Sequence, residues 1–78
     1  MAELQKTLHD IAAAIVDSPD EVKVLYEEDD DTITMTLSVA PDDMGMVIGR
    51  HGKIAKAIRT VIKAAAAPGG KKVNVEIR

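Results

Sequence analysis

A chain of 78 residues with 46% apolar side chains and a formal net charge of -3 makes one small domain, which buries about two-thirds of its unfolded surface and gains stability from association. With no cysteine it has neither a disulfide framework nor a thiolate metal cluster, and with no apolar run near about 18 residues it has no membrane-spanning helix. Tyr26 is the sole aromatic residue, so the core is aliphatic and stacking of bases on aromatic platforms is all but excluded.

Leu4, Leu8, Ile11 and Ile15 fall at helical spacing around Ala12, Ala13 and Ala14, which predicts a first helix ending near Asp17, at Ser18-Pro19-Asp20. Glu3, Gln5, Lys6, His9 and Asp10 interrupt its apolar positions, so it does not read as a secretory signal. A cytosolic protein complete as a single domain, 1–78, is the expectation, with His9 on an exposed or boundary face. Val22, Val24 and Tyr26 alternate with Lys23, the acidic run Glu27 to Asp31 makes a turn, and Ile33, Met35, Leu37 and Val39 alternate with Thr32, Thr34, Thr36 and Ser38. This pattern predicts a β-hairpin with one polar face. Pro41-Asp42-Asp43 opens a short helix through about Ile48, and Gly49 to Gly52 make a turn. A longer helix runs from Lys53 to about Ala67 before Pro68-Gly69-Gly70, and Val73, Val75 and Ile77 form a last strand.

On the long helix, Ile54, Ile58, Val61, Ile62 and Ala65 form the expected core stripe, with Lys56, Arg59 and Lys63 projecting from the other side. The order α-β-β-α-turn-α-β implies an α+β two-layer sandwich, three helices on one face of a three-stranded sheet, with the last strand beside the second.

Charge is divided sharply along the chain. Residues 1 to 43 hold twelve acids against only Lys6 and Lys23, a net of -10, whereas residues 44 to 78 hold eight strong bases against Glu76 alone, a net of +7. No acid stands between Met44 and Val75, so this segment presents an electropositive surface that suits a nucleic acid, unless the N-terminal half folds over it. Val47-Ile48-Gly49-Arg50-His51-Gly52 lies within it and leads into Lys53-Ile54-Ala55-Lys56-Ala57-Ile58-Arg59. Two glycines bracketing two residues permit a sharp turn and keep no Cβ between an anion and the amides. The helix that follows would offer its first-turn N–H groups and dipole to the same anion, and Arg50 and Lys53 add mobile charge. The bland alternative is an ordinary solvated lysine face. His51 reads either as a neutral hydrogen-bonding loop residue, gaining a proton at mildly acidic pH, or as a residue that merely faces water.

Those residues and that element order resemble the type II KH domain, whose signature is a GxxG loop after an apolar pair. The likeness runs from Leu4 through Val16-Asp17-Ser18-Pro19, Val39-Ala40-Pro41-Asp42-Asp43-Met44-Gly45 and Ile58-Arg59-Thr60, and within KH proteins it is to the KhpA family of small bacterial RNA-binding proteins. Many KH domains carry a large aliphatic residue where this chain has Ala55, a departure that suits the small bacterial subfamily better than eukaryotic modules. The resemblance implies non-catalytic binding of about four single-stranded nucleotides, with the backbone at the loop and the bases over an aliphatic groove. Carried over, Gly49, Arg50, His51 and Gly52 are the clamp, Lys53, Lys56 and Arg59 are candidate phosphate contacts, and Ile48 and Ile54 line the groove or are core residues. It also implies action as an RNA chaperone or post-transcriptional regulator, a link to cell shape and division, a homodimer, and pairing with a larger KH partner, KhpB (EloR). Ile62, Ala65 and Ala66 are the candidate dimer residues.

Other classes fit the residues less well. A P-loop counted back from Gly52-Lys53 needs a glycine at Val47 and a hydroxyl at Ile54, and no nucleophile has a recognisable base partner, so no catalytic residue is expected. Glu27 to Asp31 lacks the alternating ligands and turn glycine of a calcium loop, so no metal or other cofactor is expected there. A protein-interaction module on the same scaffold remains the principal alternative to RNA binding.

Overall fold

Strict alternation in the second strand produces a sheet with one wet and one dry side. The structure is a computed structural model that describes residues 2–78. In chain order it comprises helix α1 (Ala2–Ile15), strands β1 (Lys23–Glu28) and β2 (Thr32–Ser38), the five-residue helix α2 (Met44–Ile48), helix α3 (Lys53–Ala66) and strand β3 (Lys72–Ile77). Short 3-10 turns at Pro19–Glu21, Pro41–Asp43, Arg50–Gly52 and Ala67–Gly69 link them. The sheet order is β1-β2-β3. β1 pairs antiparallel with β2 and β3 runs parallel to β2, so the last strand does lie beside the second.

Ile33, Met35 and Leu37 of β2 and Val73 and Val75 of β3 face the helices and are buried. Thr34 pairs across the strands with Glu27 and Asn74, and Thr36 with Leu25 and Glu76, so the opposite face is polar apart from Leu25. From α1 come Leu4, Leu8, Ala12 and, just beyond its end, Val16; Ile11 and Ile15 sit half-buried at the margin of this core. Gln5 donates to the Val24 carbonyl at 2.7 Å and fixes α1 against β1. No described helix is long and apolar enough to cross a membrane.

Two connections carry side-chain chemistry. Asp29 Oδ1 accepts from the N–H groups of Asp31 (2.9 Å) and Thr32 (2.7 Å), so the acidic run closes the hairpin by capping its own backbone. Asp43 is buried (3% exposed) and accepts the Ser18 N–H at 3.0 Å, tying the segment after α1 to the start of α2. This bond stabilises by about 1 to 3 kcal/mol, since the carboxylate charge assists it.

α3 departs from the expected stripe. Its buried residues are Ala55, Ile58, Ile62 and Ala66. Ile54 (39% exposed), Val61 (50% exposed) and Ala65 lie outside the core. The physical reason is at the start of the helix, where Ile54 covers the backbone of Gly49: a Cβ placed on that glycine would come within 2.8 Å of the Ile54 Cβ. With Ile54 held there, the 3.6-residue period turns Ala55, Ile58 and Ile62 inward. Ile62 (0% exposed) and Ala66 are packed against the chain's own core, so of the three residues expected at a dimer interface only Ala65 faces outward.

Candidate nucleic-acid interface

The loop between α2 and α3 is one tight 3-10 turn whose geometry demands its glycines. Gly49 has φ 75° and ψ 174°, a region essentially closed to any residue with a Cβ. Its missing Cβ is also the space that Ile54 fills. Gly52 has φ 74° and ψ 14°, the left-handed helical region, and a Cβ placed on it meets nothing within 4 Å. So Gly49 is closed from within, whereas Gly52 leaves its backbone open to an approaching ligand. His51 is also left-handed, at φ 57° and ψ 24°, a conformation that costs a residue with a side chain about 1 to 2 kcal/mol.

Part of the expected amide supply is used by the turn itself. Gly52 N–H donates to the Gly49 carbonyl at 3.2 Å, and Lys53 N–H donates to the Arg50 carbonyl. The N–H groups of Arg50 and His51 have no backbone acceptor among the described residues. No side chain caps the N-terminus of α3, so its positive dipole end adds to the Arg50 and Lys53 charges. Among the described residues, none of Arg50, Lys53, Lys56 or Arg59 forms an ion pair. The acids of the N-terminal half do not neutralise this surface.

The sequence-predicted residues therefore separate into groups. Ile48 (38% exposed) and Ile54 are surface residues beside the turn, while the equally exposed Met46 lies about 200° around α2 from Ile48. Lys53, Lys56 and Arg59 project from α3 as expected. Arg59 Nε donates to the Val75 carbonyl at 3.1 Å, so its guanidinium is directed at β3 and away from the glycine turn. At about 100° per residue, Lys53, Lys56, Arg59 and Lys63 share one sector of α3, on the β3 side. Lys72 continues this basic surface beyond the helix, beside Lys71, which is paired with Glu28. Their only sequence signal was the run without acids from Met44 to Val75.

A helix pair joined by GxxG, packed on a sheet whose second and third strands are parallel and whose first is antiparallel, is the architecture of type II KH domains. A family model described as KhpA/KhpB, KH domain, matches residues 5–77. Proteins named RNA-binding protein KhpA are similar along nearly their whole length. That of Clostridium acetobutylicum is 54% identical over 95% of this chain and 99% of its own. That of Caldanaerobacter subterraneus subsp. tengcongensis is 53% identical over 99% of both chains, and that of Listeria monocytogenes is 42% identical over 95% and 97%. The chain belongs to the KhpA/KhpB KH-domain family. A crystal structure of Aquifex aeolicus Era bound to GDP.AlF4- matches the fold with a TM-score of 0.70 at 16% identity, over 95% of this chain and 29% of that one. At that identity the likeness speaks to the fold alone.

Proposed function

We propose that this chain binds single-stranded RNA without catalysis and acts in the cytoplasm as an RNA chaperone or post-transcriptional regulator. The observation that carries the proposal is the Gly49 to Gly52 turn, with unpaired cations at Arg50 and Lys53, unengaged N–H groups at Arg50 and His51, and open space over Gly52. A phosphate fits such a site through charge and backbone donors together, and Ile48 and Ile54 offer an aliphatic surface for bases beside it. Lys53 and Lys56 contact flanking phosphates, with Arg59 further along the helix. Binding through so few cations is weak, tolerant of sequence and strongly salt-dependent. Titrating isotope-labelled protein with single-stranded RNA and following its amide resonances tests this reading. The largest shifts are expected from Gly49 to Lys53; shifts confined to the polar sheet face around Thr34 and Thr36 would overturn it.

One observation favours a second activity, self-association. The outward side of α3 carries Ala57, Val61, Ala64 and Ala65 as an exposed apolar ridge, and small residues let two helices approach closely. A second copy of the chain, or the KH domain of a KhpB-type partner, covers this ridge, which replaces Ile62 and Ala66 as the interface. Light scattering checks it: a dimer for the wild type and a monomer for Val61→Glu is expected, and a monomeric wild type at micromolar concentration rejects it.

A further inference from the structure

We propose that Lys63 and Lys72 form a second phosphate-binding site, so that a bound single strand is held at both ends of α3. The proposal rests on the RNA reading and extends it. Lys63, Lys71, Lys72, Val73 and Asn74 line a cleft of about 280 Å³ with no carboxylate in its wall. The three lysines differ in availability. Lys71 donates to the Glu28 carboxylate and, at 2.8 Å, to the Asp29 carbonyl, and Lys72 N–H donates to the Asp31 carbonyl at 3.0 Å. These bonds fasten the start of β3 to the hairpin turn and make the cleft wall firm. Lys63 and the Lys72 side chain have no acidic partner among the described residues, so their charge is free for a ligand.

The cleft lies on the track that leaves the glycine turn. Arg59 reaches Val75, while Lys63, one turn later, shares the cleft with Val73 and Asn74. As residue numbers rise along α3 they fall along β3, so the two elements run antiparallel with the basic sector between them. Lys63 stands ten residues after Lys53, about 15 Å along the helix axis. A strand long enough to pass the loop clamp therefore gains a second anchoring point, and a short one does not.

The test measures binding of labelled oligouridylates of about four and about ten nucleotides, the range spanned by clamp-type and groove-type sites. Wild type is compared with Lys63→Gln/Lys72→Gln and with Lys6→Gln/Lys23→Gln as a remote charge control. All four lysine side chains lie on the surface, and circular dichroism checks each fold. The wild type is expected to bind the longer strand more tightly. Its salt slope on that strand should be steeper by about 0.7, for the one further phosphate neutralised, which is an extra loss of about 2.6-fold between about 50 and about 200 mM salt. Lys63→Gln/Lys72→Gln should remove that gain and leave the four-nucleotide affinity and the remote control's behaviour unchanged. Equal loss on both lengths, or no loss on either, overturns the second site while leaving the loop reading intact. No binding of either strand by the wild type overturns the RNA reading itself.

Discussion

Replacing Gly49 and Gly52 in turn by alanine separates the two tasks of the turn. At Gly49 the φ 75°, ψ 174° conformation costs an alanine about 1 to 3 kcal/mol. The new Cβ also meets the Ile54 Cβ at 2.8 Å and its backbone N at 3.0 Å, adding about 1 to 3 kcal/mol of overpacking. The stiffer unfolded chain returns about 0.4 to 1 kcal/mol. The net destabilisation is about 1 to 6 kcal/mol, centred near about 3 kcal/mol, against about 4 to 12 kcal/mol for a whole domain of this size. At Gly52 the left-handed conformation costs about 1 to 2 kcal/mol and the Cβ meets nothing, so after the same return about 1 kcal/mol is lost. Thermal unfolding followed by circular dichroism should lower Tm by more than about 10 °C for Gly49→Ala and by about 5 °C for Gly52→Ala. RNA binding should show the complementary effect: Gly52→Ala puts a methyl where the phosphate approaches and loses about one charge-assisted hydrogen bond, some tenfold in affinity, while still folded. Equal destabilisation by the two substitutions, or a folded Gly52→Ala that binds like the wild type, refutes this division of roles.

Three further perturbations test the packing and the charges. Ile62→Ala should cost about 2 to 5 kcal/mol in urea unfolding, because Ile62 is fully buried, while Val61→Ala, half-exposed in the single chain, should cost well under half of that when unfolding is followed at concentrations too low for self-association; the reverse order would restore the stripe expected from the sequence. Asp43→Ala leaves the Ser18 N–H without its acceptor and should lower stability by about 1 to 3 kcal/mol, with Asp43→Asn recovering part of it. The Lys71 ammonium hydrogen-bonded to Glu28 holds that carboxyl below its ordinary value of 4.5. A lowered carboxylate stabilises the fold above its unfolded pKa, and that contribution is lost as pH falls through the folded value. The stability difference between wild type and Glu28→Gln should therefore be largest near neutrality and shrink as pH falls below the ordinary value of 4.5; a difference independent of pH contradicts the pairing.

Much of the fold was legible because its signals are local. The alternation from Thr32 to Val39 fixes which side of β2 is buried, and Pro19, Pro41 and the Pro68-Gly69-Gly70 run punctuate the chain where elements change. The glycine turn and its basic neighbours were legible for the same reason. The rotation of α3 was not: apolar residues occupy more than half its circumference, and which of Ile54 or Ala55 faces inward depends on the contact with Gly49, a tertiary fact. Asp43 looked like an ordinary helix-start residue, and its burial follows from a bond to Ser18, 25 positions earlier. The left-handed backbone of His51 was invisible too, because histidine lacks the glycine signature that marks such positions. Lys71 and Lys72 gave a charge but no location until β3 was placed beside α3.

The most direct test of the central claim is fluorescence anisotropy of labelled single-stranded RNA at two salt concentrations, with wild type beside Arg50→Asp/His51→Asp. This variant keeps both glycines and reverses the charge of the loop, and circular dichroism must show that it folds. Salt-sensitive binding by the wild type, lost in the folded variant, is the predicted result. Equal binding by the two proteins, or none by either, contradicts the account and makes the loop a structural turn on a protein-interaction domain.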